Sequence, residues 1–307
     1  MKILLTGGAG FIGSHLIEGY RAAGHDVVVV DDLSSGLRSH VPAGVTFYEA
    51  DIADIEPIVA KERPEVINHH AANMSVKVSG DDPQFDARIN VHGLLAVLLA
   101  AAKHQVRKIV FASSGGTVYG VPQALPITET HPLMPLSPYG ITKMAGEHYL
   151  RFFATERGLT STILRYGNVY GARQLPHGEA GVVAIFAQKM LAGEAPRIDW
   201  DGEQRKDYVY VKDVVDLNLR VLNAGDGQTY NVGSGEATTV NELYRHLAEL
   251  LHFAGQPTYG PRRPGDLREF YLDCQKATAE LGWPAPTPLA TGLAETAAWF
   301  AAAATQP

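Results

Sequence analysis

Apolar positions in the first half of the chain come in short solid blocks, each closed by glycine, acid, histidine or serine. Ile3-Leu4-Leu5-Thr6 stops at Gly7, Val27-Val28-Val29-Val30 at Asp31-Asp32, and Val45 to Glu49 at Asp51-Ile52. Glu65 to Asn68 stops at His69-His70-Ala71-Ala72, and Lys108 to Ala112 at Ser113-Ser114. Unbroken apolar blocks of this length read as strands covered on both faces, the habit of a parallel sheet. Between them the period lengthens to that of a helix, through Ile17 and Tyr20 and again from Arg88 to His104. The second of these is apolar around much of its circumference, with Ile89, Val91, Leu94, Leu95, Val97, Leu98 and Leu99, so it must be covered on more than one side. Strand–helix alternation predicts an α/β fold: a Rossmann-type doubly wound parallel sheet.

Past Leu164-Arg165 the alternation loosens and Pro, Gly and charge become more frequent. We therefore expect residues 1–170 to form a dinucleotide-binding domain and 171–307 a smaller α/β substrate lobe. A strand at Thr229 to Val232 is expected to return to the first sheet. In the second lobe, helices are expected from Lys212 to Asn223, from Asn241 to His252 and from Gly292 to Ala304, the last with Trp299 and Phe300 inward.

Bulk numbers narrow the class. Hydrophobic content of 46% with 19% charged residues suits a globular enzyme. A net charge of −7 argues against a nucleic-acid or anionic-membrane surface, so any phosphate must be met by a few local groups. No run matches the ~18 apolar residues of a membrane span. The single Cys274 rules out an internal disulfide and suits a reducing compartment. Met1 leads straight into the first strand, from which we expect no signal peptide and a cytoplasmic protein.

Chemistry enters at the strand ends. Gly7, Gly10 and Gly13 form G-x-x-G-x-x-G between strand and helix. Glycines there allow a tight turn and close approach to a pyrophosphate, seated on the N–H groups of Phe11, Ile12 and Gly13 at the helix start. Asp31 lies 18 residues beyond Gly13, where a carboxylate meets an adenosine ribose; with Asp32 beside it, NAD is favoured over its 2′-phosphorylated form. Ser35 and Gly36 follow as further cofactor contacts, and Asp51-Ile52 is placed to reach the adenine. Adjacent His69 and His70 point to opposite sides of a strand without a carboxylate or Cys at ligand spacing, so no metal is expected.

Ser137 and Pro138 are a good N-cap and first helical residue, which sets Tyr139 and Lys143 on one face of a new helix. A phenol has a pKa near ~10; a nearby cation favours the phenolate and makes it a usable base. This helix, with Met144, Tyr149, Phe152 and Phe153, and the Arg88–His104 helix carry generous apolar surfaces that suit either core or a homodimer interface.

In order along nearly the whole chain, Thr6 to Gly13, Asp31, Asp51-Ile52, Phe111-Ala112-Ser113-Ser114, Tyr139-x-x-x-Lys143, Leu164 to Gly171, Asp207 to Val211 and Arg262 to Asp266 resemble the extended short-chain dehydrogenase/reductase family. The resemblance implies NAD as cofactor and inversion at C4 of a UDP-hexose through a transient 4-keto sugar. It implies that Tyr139 is the base, that Lys143 lowers its pKa and bonds the nicotinamide ribose, and that Ser114 assists proton transfer, with Thr117 as its rival because Gly115-Gly116 depart from the usual pattern. His70, Ala71, Ala72, Asn90, Ala112, Ser113 and Tyr166 resemble cofactor contacts. Asn168, Val182 at a helix start, Lys206 (with Arg205 as alternative), Arg263 and Asp266 resemble the diphosphate and uridine ligands, and Phe270 a wall beside the sugar's C2 substituent that would disfavour N-acetylated sugars. Relatives that eliminate water or decarboxylate carry an acid just after the catalytic hydroxyl; between Ser113 and Gly120 there is none. Two alternatives remain: a different nucleotide sugar, such as UDP-glucuronate met by Arg173 or an N-acetylated hexose, and a catalytically silent NAD(H)-sensing protein. The partners implied are a UDP-sugar and a second copy of the chain, with no nucleic acid and no membrane.

Overall fold

The computed structural model describes residues 1–175, 181–262, 266–284 and 286–305. Six strands in chain order are β1 (Lys2–Thr6), β2 (Asp26–Asp31), β3 (Thr46–Glu49), β4 (Val66–His69), β5 (Lys108–Ser114) and β6 (Thr160–Tyr166). With Thr229–Val232 they form one seven-stranded sheet, ordered Thr229–Val232, β6, β5, β4, β1, β2, β3, and every neighbouring pair is parallel. The order reverses between β1 and β4, the crevice where sheets of this type bind ligands beyond their carboxyl ends.

The solid apolar blocks follow from burial on both faces. Ile3 and Leu5 of β1 join one core cluster with Val29, Val110 and Leu164, while Leu4 between them joins another with Val30, Ile67, Phe111 and Ile163. Each such side chain taken fully out of water contributes roughly 1.5–3 kcal/mol before entropy is counted.

The helix Pro83–Lys103 is long and apolar enough to cross a membrane by length and composition, against the expectation that no run in the chain is. Its packing accounts for the composition: Leu94, Val97, Leu98 and Ala101 are fully buried against the sheet. Inside it, Arg88–Gly93 is wound as a π-helix. The helix Pro138–Arg157 begins as expected, Ser137 Oγ accepting from the Gly140 N–H, and ends on Gly158 at φ 64°. Gly146 in its middle has a packing reason. A Cβ there would lie 2.8 Å from the Phe111 ring and 2.9 Å from Leu94, so glycine lets this helix close on β5.

The second lobe has its own core of Tyr170, Phe186, Ile198, Tyr210, Leu243 and Leu247, among others. Three short pairings frame it: Tyr208–Tyr210 with Asn168–Tyr170, Thr258–Gly260 with Arg197–Asp199, and Arg205–Lys206 with Thr238–Thr239. The expected amphipathic helix runs Val240–Leu250, started by a capping box of Thr239 and Glu242. The last helix, Leu289–Ala304, buries Phe300, but Trp299 is 36% exposed, a correction to its expected inward placement. Adjacent positions lie about 100° apart on a helix, so only one of the two rings faces the core.

Candidate active site

The glycine turn after β1 is built by close approach. Gly7 has φ 71°, and a Cβ on it would lie 2.7 Å from the Ala71 nitrogen; a Cβ on Gly13 would lie 2.2 Å from the Gly7 carbonyl oxygen. The helix beginning at Phe11 has no side-chain cap, so its first N–H groups are left for an anion. Asp31 at the end of β2 is nearly buried, accepting from the N–H groups of Ala9 and Leu33 at 2.9 Å each, and burial pushes its carboxyl up. A buried acid beside an uncapped helix start fits a ribose and pyrophosphate. Asp32 turns outward and closes its own turn on Ser34; Ser35 is exposed, and Gly36 abuts Ala9. Asp51 is exposed and caps the turn at Ala53, while the Ile52 side chain is committed to the core against Gly93.

Thr6 Oγ1 joins the two sides of the crevice, meeting His69 Nδ1 at 2.8 Å and accepting from the N–H groups of His70 and Ala71. Burial, with the charge of Lys143 adding to it, holds both histidines neutral, with pKa values lowered to about 3. His70 Nε2 meets the Tyr166 hydroxyl at 3.0 Å, and Asn218 Nδ2 donates to the same hydroxyl. His70 Nδ1 is buried without a partner. Tyr166 and Asn90, expected as cofactor contacts, have side chains committed inside the protein: Asn90 donates to the Asn73 carbonyl and to Asp86, and accepts from the Asn73 N–H. Ala72 is half-buried beside Ala71, Ala112 is nearly buried, and its carbonyl accepts from Lys143; Ser113 Oγ donates to Glu147. Among the described residues no three His, Cys, Asp or Glu side chains converge to hold a metal ion.

Tyr139, Lys143 and Ser114 are brought together at the carboxyl end of β5. Burial pushes the Tyr139 phenol up to about 12, and the neighbouring Ser114 hydroxyl opposes that by favouring the phenolate. Lys143 is 4% exposed; its Nζ donates to the Ala112 carbonyl at 3.0 Å and sits 5.1 Å from the Phe111 ring centroid and 5.8 Å from that of Tyr139. Burial lowers its pKa to about 8, and the charge of Asp86 partly opposes that. Thr117 Oγ1 is buried with no hydrogen-bond partner, whereas the Ser114 hydroxyl bears on the Tyr139 phenol. Gly115 departs from the usual pattern for a packing reason: a Cβ there would lie 2.9 Å from Leu272 and 3.1 Å from the Arg165 carbonyl.

Sequence reasoning missed the groups that hold this cluster. Glu147, one turn after Lys143, is fully buried and pairs with Arg165, whose Nη2 lies 2.6 Å and Nε 2.9 Å from its carboxylate. Ser113 Oγ donates to the same Glu147, which ties β5, β6 and the Tyr139 helix together. Asp207, also fully buried, accepts from the Ser234 N–H and hydroxyl and from the Leu272 N–H. An acid at helical spacing from Lys143 was the only local signal for Glu147.

In the second lobe a cavity of about 320 Å³ is lined by Asn168, Val182, Phe186, Lys206, Tyr208 and Asp266, among others. Asn168 Nδ2 is anchored on the Asp207 carbonyl, and Lys206 Nζ donates to the Leu267 carbonyl. Burial lowers the Lys206 pKa, with Asp266 opposing it. Arg205, the alternative to Lys206, points outward to Glu269 and the Ala237 carbonyl. Phe270 does not line this cavity; it is buried with Val118, Tyr119, Ile127 and Leu272, so its expected role as a wall against N-acetyl groups finds no support there. Arg173 is held by Glu18 at 2.7 and 2.8 Å and by His15, which takes it away from a sugar carboxylate. Arg263 lies outside the described residues, as do residues 178–180 before the Val182–Leu191 helix.

Residues 3–233 match the NAD dependent epimerase/dehydratase family. The chain belongs to this family. It is 46% identical over 308 residues to a UDP-glucose 4-epimerase of Mycolicibacterium smegmatis, covering 98% of both chains. A crystal structure of the Thermotoga maritima UDP-glucose 4-epimerase with UDP-glucose superposes with a TM-score of 0.97 at 46% identity, covering 99% of this chain and 100% of that one. The Thermus thermophilus UDP-glucose 4-epimerase in complex with NAD gives 0.93 at 43% identity, covering 98% and 99%. Membership of this family makes the chain an NAD-dependent isomerase.

Proposed function

We propose that this chain interconverts UDP-glucose and UDP-galactose, inverting C4 of the hexose through a 4-keto sugar. The observation that carries this reading is the gathering of Tyr139, Ser114 and Lys143 at the carboxyl end of β5, with the Lys143 ammonium 5.8 Å from the Tyr139 ring centroid and the Ser114 hydroxyl favouring the phenolate. NAD, held at the glycine turn and Asp31, would accept the C4 hydride and later return it. Tyr139 takes the proton of the sugar's 4′-hydroxyl and returns it after the keto sugar has turned over. Ser114 donates to the phenolate oxygen while that charge exists. Lys143, kept in a desolvated pocket by the Ala112 carbonyl, lends its charge to the phenolate with little screening.

The second lobe grips the diphosphate and uridine through Asn168, Lys206 and Asp266, joined by Arg263, and leaves the hexose free to rotate. Binding energy remote from C4 then holds the intermediate without selecting one sugar face. We assign residues 1–170 with Thr229–Val232 to the dinucleotide and 171–307 to the nucleotide sugar. Leu99, Tyr149 and Phe152 remain exposed on the two apolar helices, which favours a homodimer, and one unpaired thiol suits the cytoplasm. A coupled assay for UDP-glucose formed from UDP-galactose tests the reading. Tyr139→Phe is expected to lower kcat by at least ~10³-fold with NAD and UDP-sugar still bound; near-normal turnover refutes it, and loss of binding points to misfolding. UDP-glucuronate is expected to be turned over far more slowly, because Arg173 is already paired with Glu18.

A further inference from the structure

Asp86 lies in the helix Pro83–Ala87 and is fully buried. Its Oδ1 accepts from Asn73 Nδ2 at 2.8 Å and Asn90 Nδ2 at 2.9 Å, and its Oδ2 accepts from Thr142 Oγ1 at 2.9 Å. All three donors are neutral. A carboxylate removed from water with only neutral donors is costly, and one role for it is a charge needed at that place.

Thr142 stands between Tyr139 and Lys143 in the chain, and its Oγ1 also lies 2.9 Å from the Tyr139 carbonyl. Asn90, the other link, belongs to the π-wound segment Arg88–Gly93, and π turns within helices are frequent at functional sites. We propose that Asp86 is a positioning residue that sets the charge balance of the Tyr139–Lys143 pair from behind, acting through Thr142. Among the described residues Lys143 bonds a carbonyl and faces two rings, and Glu147, one turn on, is taken up by Arg165, so Asp86 serves as its counter-charge. The same charge restrains premature ionisation of Tyr139. The groups around the pair are few. From β4, His69 and His70 face Lys143 and stay neutral. Lys77 and Asp81 on the Val76–Asp81 helix, and Arg88 and His92 on the π segment, are exposed to solvent.

Asp86→Asn tests this because the carboxamide can keep the bonds. Its oxygen accepts from Asn73 and Asn90, and its NH2 donates to Thr142 Oγ1 while that hydroxyl donates to the Tyr139 carbonyl. Removing one negative charge makes loss of any proton from the coupled pair easier. Both limbs of the pH–kcat profile are therefore expected to move to lower pH by about one unit, with KM for UDP-galactose little changed. A folded, NAD-loaded Asp86→Asn enzyme whose limbs stay in place, whatever its maximal rate, overturns the inference, since a purely structural role changes height and not position. If Asp86→Asn does not fold, Thr142→Val decides. It removes one donor and leaves the carboxylate charged and less compensated, so the limbs are expected to move the opposite way, to higher pH, by less; an unmoved profile overturns the proposal. The inference rests on the Tyr139 assignment. Turnover surviving in Tyr139→Phe sinks that assignment, whereas an inactive Tyr139→Phe with an unshifted Asp86→Asn sinks this one alone.

Discussion

Two buried lysines are attached to opposite ends of the same strand. Lys108 opens β5 and is fully buried; its Nζ meets Asp226 Oδ1 at 2.6 Å and donates to the Ala224 carbonyl. Lys143 packs over the other end of β5, is almost as buried, and has the Ala112 carbonyl as its hydrogen-bond acceptor. Burial lowers both, but Asp226 in contact with Lys108 opposes the effect directly, whereas Lys143 feels Asp86 only across Thr142. A lysine with a carboxylate in contact is a structural pin. One whose counter-charge is held back keeps a field available to a neighbouring phenol. Parallel sheets place the second kind at the carboxyl ends of the strands, where loops can admit a ligand.

Substituting methionine at both positions breaks the comparison most sharply. Lys143→Met is expected to lower kcat by roughly 10²–10³-fold while costing little stability, because an apolar chain in a buried site can be neutral or better. Lys108→Met is expected to leave kcat unchanged and to lower stability by about 1 kcal/mol, because Asp226 is largely exposed and regains water. Equal losses of activity in the two variants would erase the distinction.

Glu147→Gln sharpens it from the other side. The Glu147–Arg165 pair is buried in full, so removing one charge strands the other and is expected to cost about 3–5 kcal/mol in urea unfolding. A cost below about 1 kcal/mol would mean that Arg165 reaches solvent despite its burial.

Another effect is one of pH. Folding lowers the Lys143 pKa from 10.5 to about 8, so between those values the unfolded chain holds the extra proton. The resulting contribution to stability is complete above pH 10.5 and lost as pH falls through about 8. The stability of the native protein minus that of Lys143→Met is expected to rise over this interval, and a flat difference would place the lysine in water.

Much of the site could be read along the chain because its signals are local. The glycine spacing, the acid closing the valine block, and the Ser-Pro start that sets Tyr139 and Lys143 on one helix face each depend on residues within a turn or a strand of one another. Other site residues have partners that no local signal announces. Tyr166, Asn90 and Phe270 stand where a ligand contact was expected, yet their side chains satisfy partners far away in the chain: His70, Asn73 and the Val118–Leu272 cluster. Arg205 and Lys206 are adjacent and alike in charge. Only their pairing with Thr238–Thr239 decides which side chain faces the cavity, since neighbours in a strand point to opposite sides.

The sequence by itself determined the sheet, its glycine turn and the helix that presents the phenol, because hydrophobic period and backbone preference act over a few residues. Tertiary structure alone decided that Ser114 and Lys143 gather at Tyr139, which cation lines the second-lobe cavity, and that Asp86 and Glu147 stand behind the pair. Those choices rest on burial and on partners separated by tens of residues, and the cost of an unpaired charge away from water exists only once the chain has closed around it.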